Sequence, residues 1–107
     1  PLLAETHREW RERTGHAILE RYGMTETNMN TSNPYDGERV AGTVGFPLPG
    51  VSARVTDPET ANVLGADEIG MIEVKGPNVF KGYWRNPEKT AAEFRADGFF
   101  ITGDLGK

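Results

Sequence analysis

The hydrophobic pattern at the start of the chain predicts an amphipathic helix. Leu3, His7 and Trp10 are spaced to share one face, and we expect Trp10 to be buried against a sheet. Gly15 is placed to end this helix in a left-handed turn. A short strand is predicted over residues 16–21, followed by a polar segment. This order is typical of an α/β layer, in which ligands collect beyond the carboxyl ends of strands.

The pattern changes in the second part of the chain. Residues 28–50 are rich in turn-forming residues and have little periodicity, which predicts a long ordered connecting loop. Alternating apolar positions then predict strands at residues 51–56, 69–75 and 99–101. We expect the first two of these strands to pair antiparallel in a small sheet or barrel.

A second helix is predicted before the last strand. Asn86 is a good N-cap and Pro87 suits the first helical position. Ala91 and Phe94 are expected on the apolar side of this helix, and Asp97-Gly98 is expected to end it. The nearby aromatic residues, which are Phe80, Tyr83 and Trp84, are expected in the core of the small sheet.

Composition and charge exclude several classes of protein. The 107 residues include 16 acidic and 12 basic side chains without a basic stripe, which argues against a nucleic-acid partner. The chain has no cysteine, so we expect no disulfide and a cytoplasmic location. No apolar run approaches the roughly 20 residues that a membrane span requires. The chain has no phosphate loop, dinucleotide fingerprint or serine nucleophile elbow, so a self-contained kinase, dehydrogenase or hydrolase is not indicated.

Two polar runs carry the candidate ligand chemistry. Tyr22 can stack on a purine, and Gly23 lets the backbone approach a ligand closely. Thr25 can donate to a phosphate oxygen, and Glu26 can hold Mg²⁺. Further along the chain, Asp104 is a second carboxylate that can accept hydrogen bonds from a ribose. From these residues alone, a strand end followed by a polar turn explains the first run equally well.

The same residues carry a resemblance to a known family. Tyr22-Gly23-Met24-Thr25-Glu26 resembles the Tyr-Gly-x-Thr-Glu motif of the adenylate-forming superfamily, which includes acyl-CoA synthetases, adenylation domains and firefly luciferase. Residues 20–29 look closest to malonyl-CoA synthetases. The further segments that resemble this superfamily, in the correct order, are residues 44–50, 70–77, 82–84, 87–90 and 102–104.

The resemblance implies an ATP-dependent acid–thiol ligase. A carboxylate would attack the α-phosphorus of ATP to give an acyl-adenylate and pyrophosphate, and coenzyme A would then displace AMP. The implied catalytic residues are Thr25, at the α-phosphate, and Glu26, which would hold Mg²⁺. The implied nucleotide contacts are Tyr22 on adenine, Asp104 on the ribose hydroxyls, and Gly23, Met24 and Thr25.

The resemblance also implies how the chain is organised. Residues 1–34 would end an α/β subdomain, and residues 35–107 would form a connecting loop and most of a small distorted β-barrel, all within one AMP-binding domain. The superfamily's phosphate loop, catalytic lysine and coenzyme A site have no counterpart in this sequence. We therefore expect a fragment that is inactive alone and that needs the remainder of its own polypeptide.

The resemblance leaves several classes of carboxylate substrate open. We expect malonate or methylmalonate as the carboxylate. The alternatives left open are a 4-coumarate or fatty acyl ligase and an amino-acid adenylation domain. From another class, the chain could be a non-catalytic binding or structural module that kept the scaffold.

Overall fold

The chain forms two helices and six strands, and the computed structural model describes all of residues 1–107. The elements in chain order are α1 (Ala4–Thr14), β1 (Arg21–Met24), β2 (Asn28–Ser32), β3 (Phe46–Pro47), β4 (Ser52–Thr56), β5 (Gly70–Lys75), α2 (Pro87–Glu93) and β6 (Phe100–Gly106). Neither helix has the length and apolar composition that a membrane span requires.

The strands form two separate antiparallel sheets. One sheet has the order β1-β2-β3 and the other has the order β4-β5-β6. The predicted antiparallel pairing of the strands at residues 51–56 and 69–75 is confirmed. The barrel is not confirmed, because each sheet is open, with three strands and two edges. The parallel pairing of an α/β layer is likewise not formed within this chain.

The chain divides into two compact units, Pro1–Pro49 and Gly50–Lys107. The predicted subdomains, residues 1–34 and 35–107, stay a prediction. Side chains tie the segment that follows residue 34 to the first unit. Asn33 donates to the backbone oxygens of Glu20 (3.2 Å) and Thr43 (2.8 Å). Arg39 donates to the backbone oxygen of Ala17 at 2.7 Å. These bonds explain how a segment with little periodicity becomes ordered.

In the first unit, α1 ends as its sequence predicts. Gly15 is left-handed at φ 76°, and its N–H donates to the Arg11 oxygen at 2.8 Å. His7 is buried, but Trp10 is 52 % exposed, so its predicted burial against a sheet is wrong. No strand of this unit makes an extensive contact with α1.

Two strand predictions in the first unit are also wrong. The first strand begins at Arg21 and not at residue 16, because residues 16–20 have no partner strand in the chain. Residues 28–50 are not one connecting loop, since they contain β2 and β3. Asn28 and Asn30 are weak strand formers, and a tertiary pairing overrides their local preference.

In the second unit, an aromatic core packs beside the sheet. Phe80 contacts Tyr83, Phe94 and Phe100 at ring-centroid distances of 4.8, 6.0 and 5.3 Å. The prediction for Phe80 and Tyr83 is therefore confirmed. Trp84 is 85 % exposed and does not belong to this core, contrary to expectation.

The predicted start of α2 is confirmed, and its predicted end is not. Asn86 caps the helix by accepting from the Lys89 N–H at 3.1 Å, and Pro87 occupies the first turn. The helix ends before Phe94, which turns to extended backbone and bridges to Phe100. Ala91 is exposed rather than part of an apolar face.

A buried carboxylate holds the second sheet together. Glu73, on the central strand β5, has no exposed surface. Its Oε2 accepts from Nη2 of Arg54 at 2.7 Å, and its Oε1 accepts from Nε of Arg95 at 2.7 Å and from Thr56 Oγ1 at 3.0 Å. Arg54 also pairs with Asp97 at 2.7 Å. The network links β4, β5 and the segment that precedes β6.

The partners of Glu73 determine its protonation. Burial alone would raise the pKa of the Glu73 carboxyl, but hydrogen bonds from Arg95, Arg54 and Thr56 outweigh burial and lower this pKa. A lowered pKa in the folded state stabilises the protein above the unfolded-state pKa of about 4.3. This contribution is lost as the pH falls through the lower, folded-state pKa.

We expect Glu73→Gln to lower the free energy of unfolding by about 3 kcal/mol at pH 7, because it leaves two arginines without their carboxylate. The variant should also lose part of the stability change that the wild type shows as the pH falls below about 4. Urea denaturation between pH 3 and pH 7 measures both effects, with the exposed Glu59→Gln as the matched control. Equal stability of the Glu73 and Glu59 variants would contradict a structural role for the network.

Candidate functional site

The Tyr22–Thr27 run forms the tip of the hairpin between β1 and β2. The Thr27 N–H donates to the Met24 oxygen at 3.1 Å, which closes a tight turn, and Met24 pairs with Asn28. Asn28 is left-handed at φ 57°. The left-handed residue follows the turn directly, and asparagine tolerates that conformation better than most residues. The local sequence therefore specifies this turn.

A β-bulge lies at the base of the tip. Tyr22 pairs with Thr31 and Gly23 pairs with Met29, so that Asn30 is an extra residue in β2. Asn30 is fully buried. Bulges bend and twist a strand and are frequent beside active sites, where they redirect side chains.

Gly23 is required by the hairpin itself. A Cβ at this position would collide with the backbone oxygen of Asn28 and would lie 3.0 Å from Met29 Sδ. The close approach of the two strands thus explains this glycine without a ligand. Its predicted role beside a nucleotide stays a prediction.

The side chains at the tip differ in their burial and in their contacts with the rest of the chain. Tyr22 is half-buried, and its hydroxyl lies 4.0 Å from Met24 Sδ on the same face of β1. Thr25 is exposed and Glu26 is half-buried. The side chains of Thr25 and Glu26 make no hydrogen bond or ion pair within the chain. A donor hydroxyl and a carboxylate are therefore both available for a ligand on one short turn.

The second motif lies at a larger irregularity, in β6. Met71 pairs with Leu105 and Glu73 pairs with Ile101. Residues 102–104 therefore lie opposite Ile72 alone and form an excursion from the regular ladder. Asp104 is exposed on this excursion. The strand predicted at residues 99–101 is therefore longer than expected, and it contains the motif rather than preceding it.

Thr102 holds the excursion of β6 together. Its hydroxyl donates to the Ile72 oxygen at 2.8 Å and accepts from the Asp104 N–H at 3.1 Å. Gly103 is left-handed at φ 81°, with open space where a Cβ would lie. The order threonine, glycine, aspartate thus has a local explanation: a hydroxyl clamp, a residue free to adopt positive φ, and an exposed carboxylate.

The structure brings some of the predicted site residues together. One hairpin of the first unit contains five of them, which are Tyr22, Gly23, Met24, Thr25 and Glu26. Asp104 belongs to the second unit, and its approach to the same ligand stays a prediction. A surface depression of about 600 Å³ between Lys81 and Ala91 contains none of these residues.

Sequence reasoning gave no structural role to three residues that shape these two motifs, which are Asn28, Asn30 and Thr102. Asn28 could have been found, because an asparagine after a short polar turn is a recognised left-handed position. Asn30 and Thr102 could not, since their roles depend on the strand register, which becomes visible only when both strands are paired.

Comparison with known proteins identifies the family. The model of the AMP-binding enzyme family matches residues 1–84. The chain therefore belongs to the AMP-binding enzyme family.

Individual relatives and solved structures are similar to most or all of this chain. The malonate–CoA ligase of Arabidopsis thaliana is 52 % identical over 99 residues, which cover 92 % of this chain and 16 % of that protein. ATP-bound MatB from Rhodopseudomonas palustris is 80 % identical with a TM-score of 0.98, over all of this chain and 21 % of that one. A malonyl-CoA ligase with methylmalonyl-CoA and AMP bound is 51 % identical with a TM-score of 0.82, over 94 % of this chain and 21 % of that one. The chain spans about a fifth of the length of these relatives.

We expect Gly23→Ala in the full-length protein to cost about 3 kcal/mol of stability, because the added methyl must force the hairpin strands apart. Gly65→Ala is the matched control, since a Cβ there meets only the flexible Glu68 side chain, at 3.2 Å. Urea denaturation of both variants measures the effect. Equal behaviour of the two variants would show that the close approach at Gly23 does not constrain the hairpin.

Proposed function

We propose that this chain supplies part of the nucleotide site of an AMP-forming acid–thiol ligase. In this proposal the enzyme adenylates malonate or methylmalonate and transfers the acyl group to coenzyme A. The observation that carries the proposal is the hairpin tip, where Thr25 and Glu26 are held on a specified turn with no partner in the chain. Membership in the AMP-binding enzyme family supports the same reading.

The chemistry of adenylation explains why such a tip is useful. The substrate carboxylate attacks the α-phosphorus of ATP, a P–O bond forms, and the bond to the β-phosphate breaks to release pyrophosphate. Negative charge is redistributed over the phosphate oxygens during this step, so fixed donors lower the barrier. The hydroxyl of Thr25 would donate to the α-phosphate from its exposed position on the turn.

Thiol transfer completes the reaction. The sulfur of coenzyme A attacks the acyl carbon, a C–S bond forms, and the C–O bond to AMP breaks. Coenzyme A thus acts as a co-substrate. None of the residues proposed for the nucleotide reacts covalently in this step, and their role is to hold AMP as the leaving group.

Two side chains would contact the nucleoside, one at the base and one at the ribose. The ring of Tyr22 would stack on adenine, with the backbone of Gly23 and Met24 beside it. The Asp104 carboxylate would accept hydrogen bonds from the ribose hydroxyls, a role that suits a group with acceptors only.

The chain's acidic residues fit a magnesium ion that is bound mainly through phosphate. No group of three or more His, Cys, Asp or Glu side chains lies together in the chain. Mg²⁺ in nucleotide enzymes is commonly held by one or two carboxylates together with phosphate oxygens and water. Glu26 would be that carboxylate, and the ion would neutralise phosphate charge when bound.

The diacid substrate rests on similarity alone. The 80 % identical structure is of ATP-bound MatB, and the 51 % identical one carries methylmalonyl-CoA and AMP. This chain spans about a fifth of these proteins.

We expect Glu26→Gln in the full-length protein to slow carboxylate-dependent pyrophosphate–ATP exchange by about 10²–10³-fold, because it removes the charge that holds the metal and phosphates. The matched control is Glu12→Gln, on the exposed surface of α1. Exchange measured over a range of Mg²⁺ concentrations also separates metal binding from a loss of folding. Unchanged exchange in the Glu26 variant would overturn the metal assignment.

The substrate assignment has its own test. Malonate and methylmalonate should support pyrophosphate exchange at least about a hundredfold better, in kcat/KM, than 4-coumarate, a fatty acid or an amino acid. A preference for one of the other acids would redirect the substrate and leave the nucleotide site intact. No exchange with any carboxylate would favour a non-catalytic module.

A further inference from the structure

We propose that Thr102 is a positioning residue, whose hydroxyl fixes the Asp104 carboxylate for the ribose. This inference deepens the proposed function and rests on it, since it presumes that Asp104 contacts the nucleotide. The motif alone does not explain why a buried threonine precedes the exposed carboxylate by two residues. The positioning role gives a physical reason for this order.

The starting point is the break in the β5–β6 ladder. Three residues of β6, 102–104, lie opposite Ile72 alone, where a regular ladder would place one. Residues that leave a ladder lose the backbone hydrogen bonds that otherwise fix their conformation. Asp104 is at the end of this excursion, and it is exposed.

The Thr102 hydroxyl replaces part of the missing ladder. It donates to the Ile72 oxygen at 2.8 Å and accepts from the Asp104 N–H at 3.1 Å, so one side chain bridges the neighbouring strand and the residue that carries the carboxylate. Thr102 is only 9 % exposed, so water competes weakly for these bonds. Both bonds require an oxygen that donates and accepts at once, which a hydroxyl provides and a methyl group does not.

Gly103 completes the clamp. Its φ of 81° is unfavourable for other residues, although nothing lies within 4 Å of a Cβ built there. The glycine is therefore required by backbone conformation and not by lack of space. A left-handed residue between Thr102 and Asp104 lets the chain turn back so that the Asp104 N–H reaches the Thr102 oxygen.

A carboxylate held in advance binds its ligand at a lower entropic cost. Ribose hydroxyls donate two directional hydrogen bonds, and a misplacement of about 1 Å is enough to weaken such contacts strongly. Thr102 would thus act through Asp104, affecting recognition of the ribose rather than of adenine or phosphate.

The test compares ATP with 2′,3′-dideoxy-ATP in the full-length protein. The ratio of their kcat/KM values in pyrophosphate exchange reports the ribose contacts, and it is independent of the fraction of folded enzyme. Hydrogen bonds to a charged group predict a wild-type ratio of about a hundredfold, and Asp104→Ala should reduce it to nearly one. Thr102→Val should reduce the ratio at least about tenfold, whereas Thr102→Ser, which keeps the hydroxyl, should stay within about threefold of the wild type. In the Asp104→Ala background, Thr102→Val should change the ratio no further.

The outcomes separate the two proposals. If Asp104→Ala leaves the ratio unchanged, Asp104 does not bind the ribose, and both the nucleotide assignment of this residue and the role of Thr102 fail. If Asp104→Ala abolishes discrimination but Thr102→Val preserves it, only the positioning role is overturned. A lower melting temperature for Thr102→Val with an unchanged ratio would likewise show a purely structural threonine. Should Thr102→Val not fold, Thr102→Ala is read by the same ratio.

Discussion

A carboxylate without any exposed surface needs charged or hydrogen-bonding partners within the protein, and Glu73 imposes this constraint on the second sheet. Two arginines and one threonine meet it, and they come from β4 and from the segment that leads into β6. The same strand, β5, pairs on both edges and supplies the Ile72 oxygen to which Thr102 donates. The buried ion network thus acts on the same strand to which Thr102 ties the segment that carries Asp104.

Both candidate nucleotide motifs occur where an antiparallel ladder is interrupted. Asn30 is an extra residue beside Tyr22 and Gly23, and residues 102–104 face a single residue of β5. Regular pairing would commit these backbones to the sheet and alternate their side chains between its faces. Where the pairing is interrupted, short polar side chains can extend from the sheet at defined positions, while the flanking strands stay rigid. The hydrogen bond from the Thr27 N–H fixes the turn next to the first interruption, and the two bonds of the Thr102 hydroxyl fix the second.

Local signals predicted much of this structure. The Gly15 helix end, the Asn86 cap and the antiparallel β4–β5 pair follow from capping, backbone freedom and alternation, which act over a few residues. The misplaced first strand, the missed β2 and β3, and the exposed Trp10 and Trp84 depend on which partner a segment meets. The site residues were found through a motif, but a motif contains no register, so the roles of Asn30 and Thr102 appeared only with the paired strands.

The central claim is that the Tyr22 hairpin and the Asp104 strand serve one nucleotide. A crystal structure of the full-length protein with AMP bound tests it most directly, through the distance from the Asp104 carboxylate to the ribose hydroxyls. We expect hydrogen bonds of about 2.5–3.0 Å there, with the ring of Tyr22 against the adenine of the same AMP. An AMP that contacts Tyr22 while the Asp104 carboxylate faces solvent elsewhere would contradict the claim.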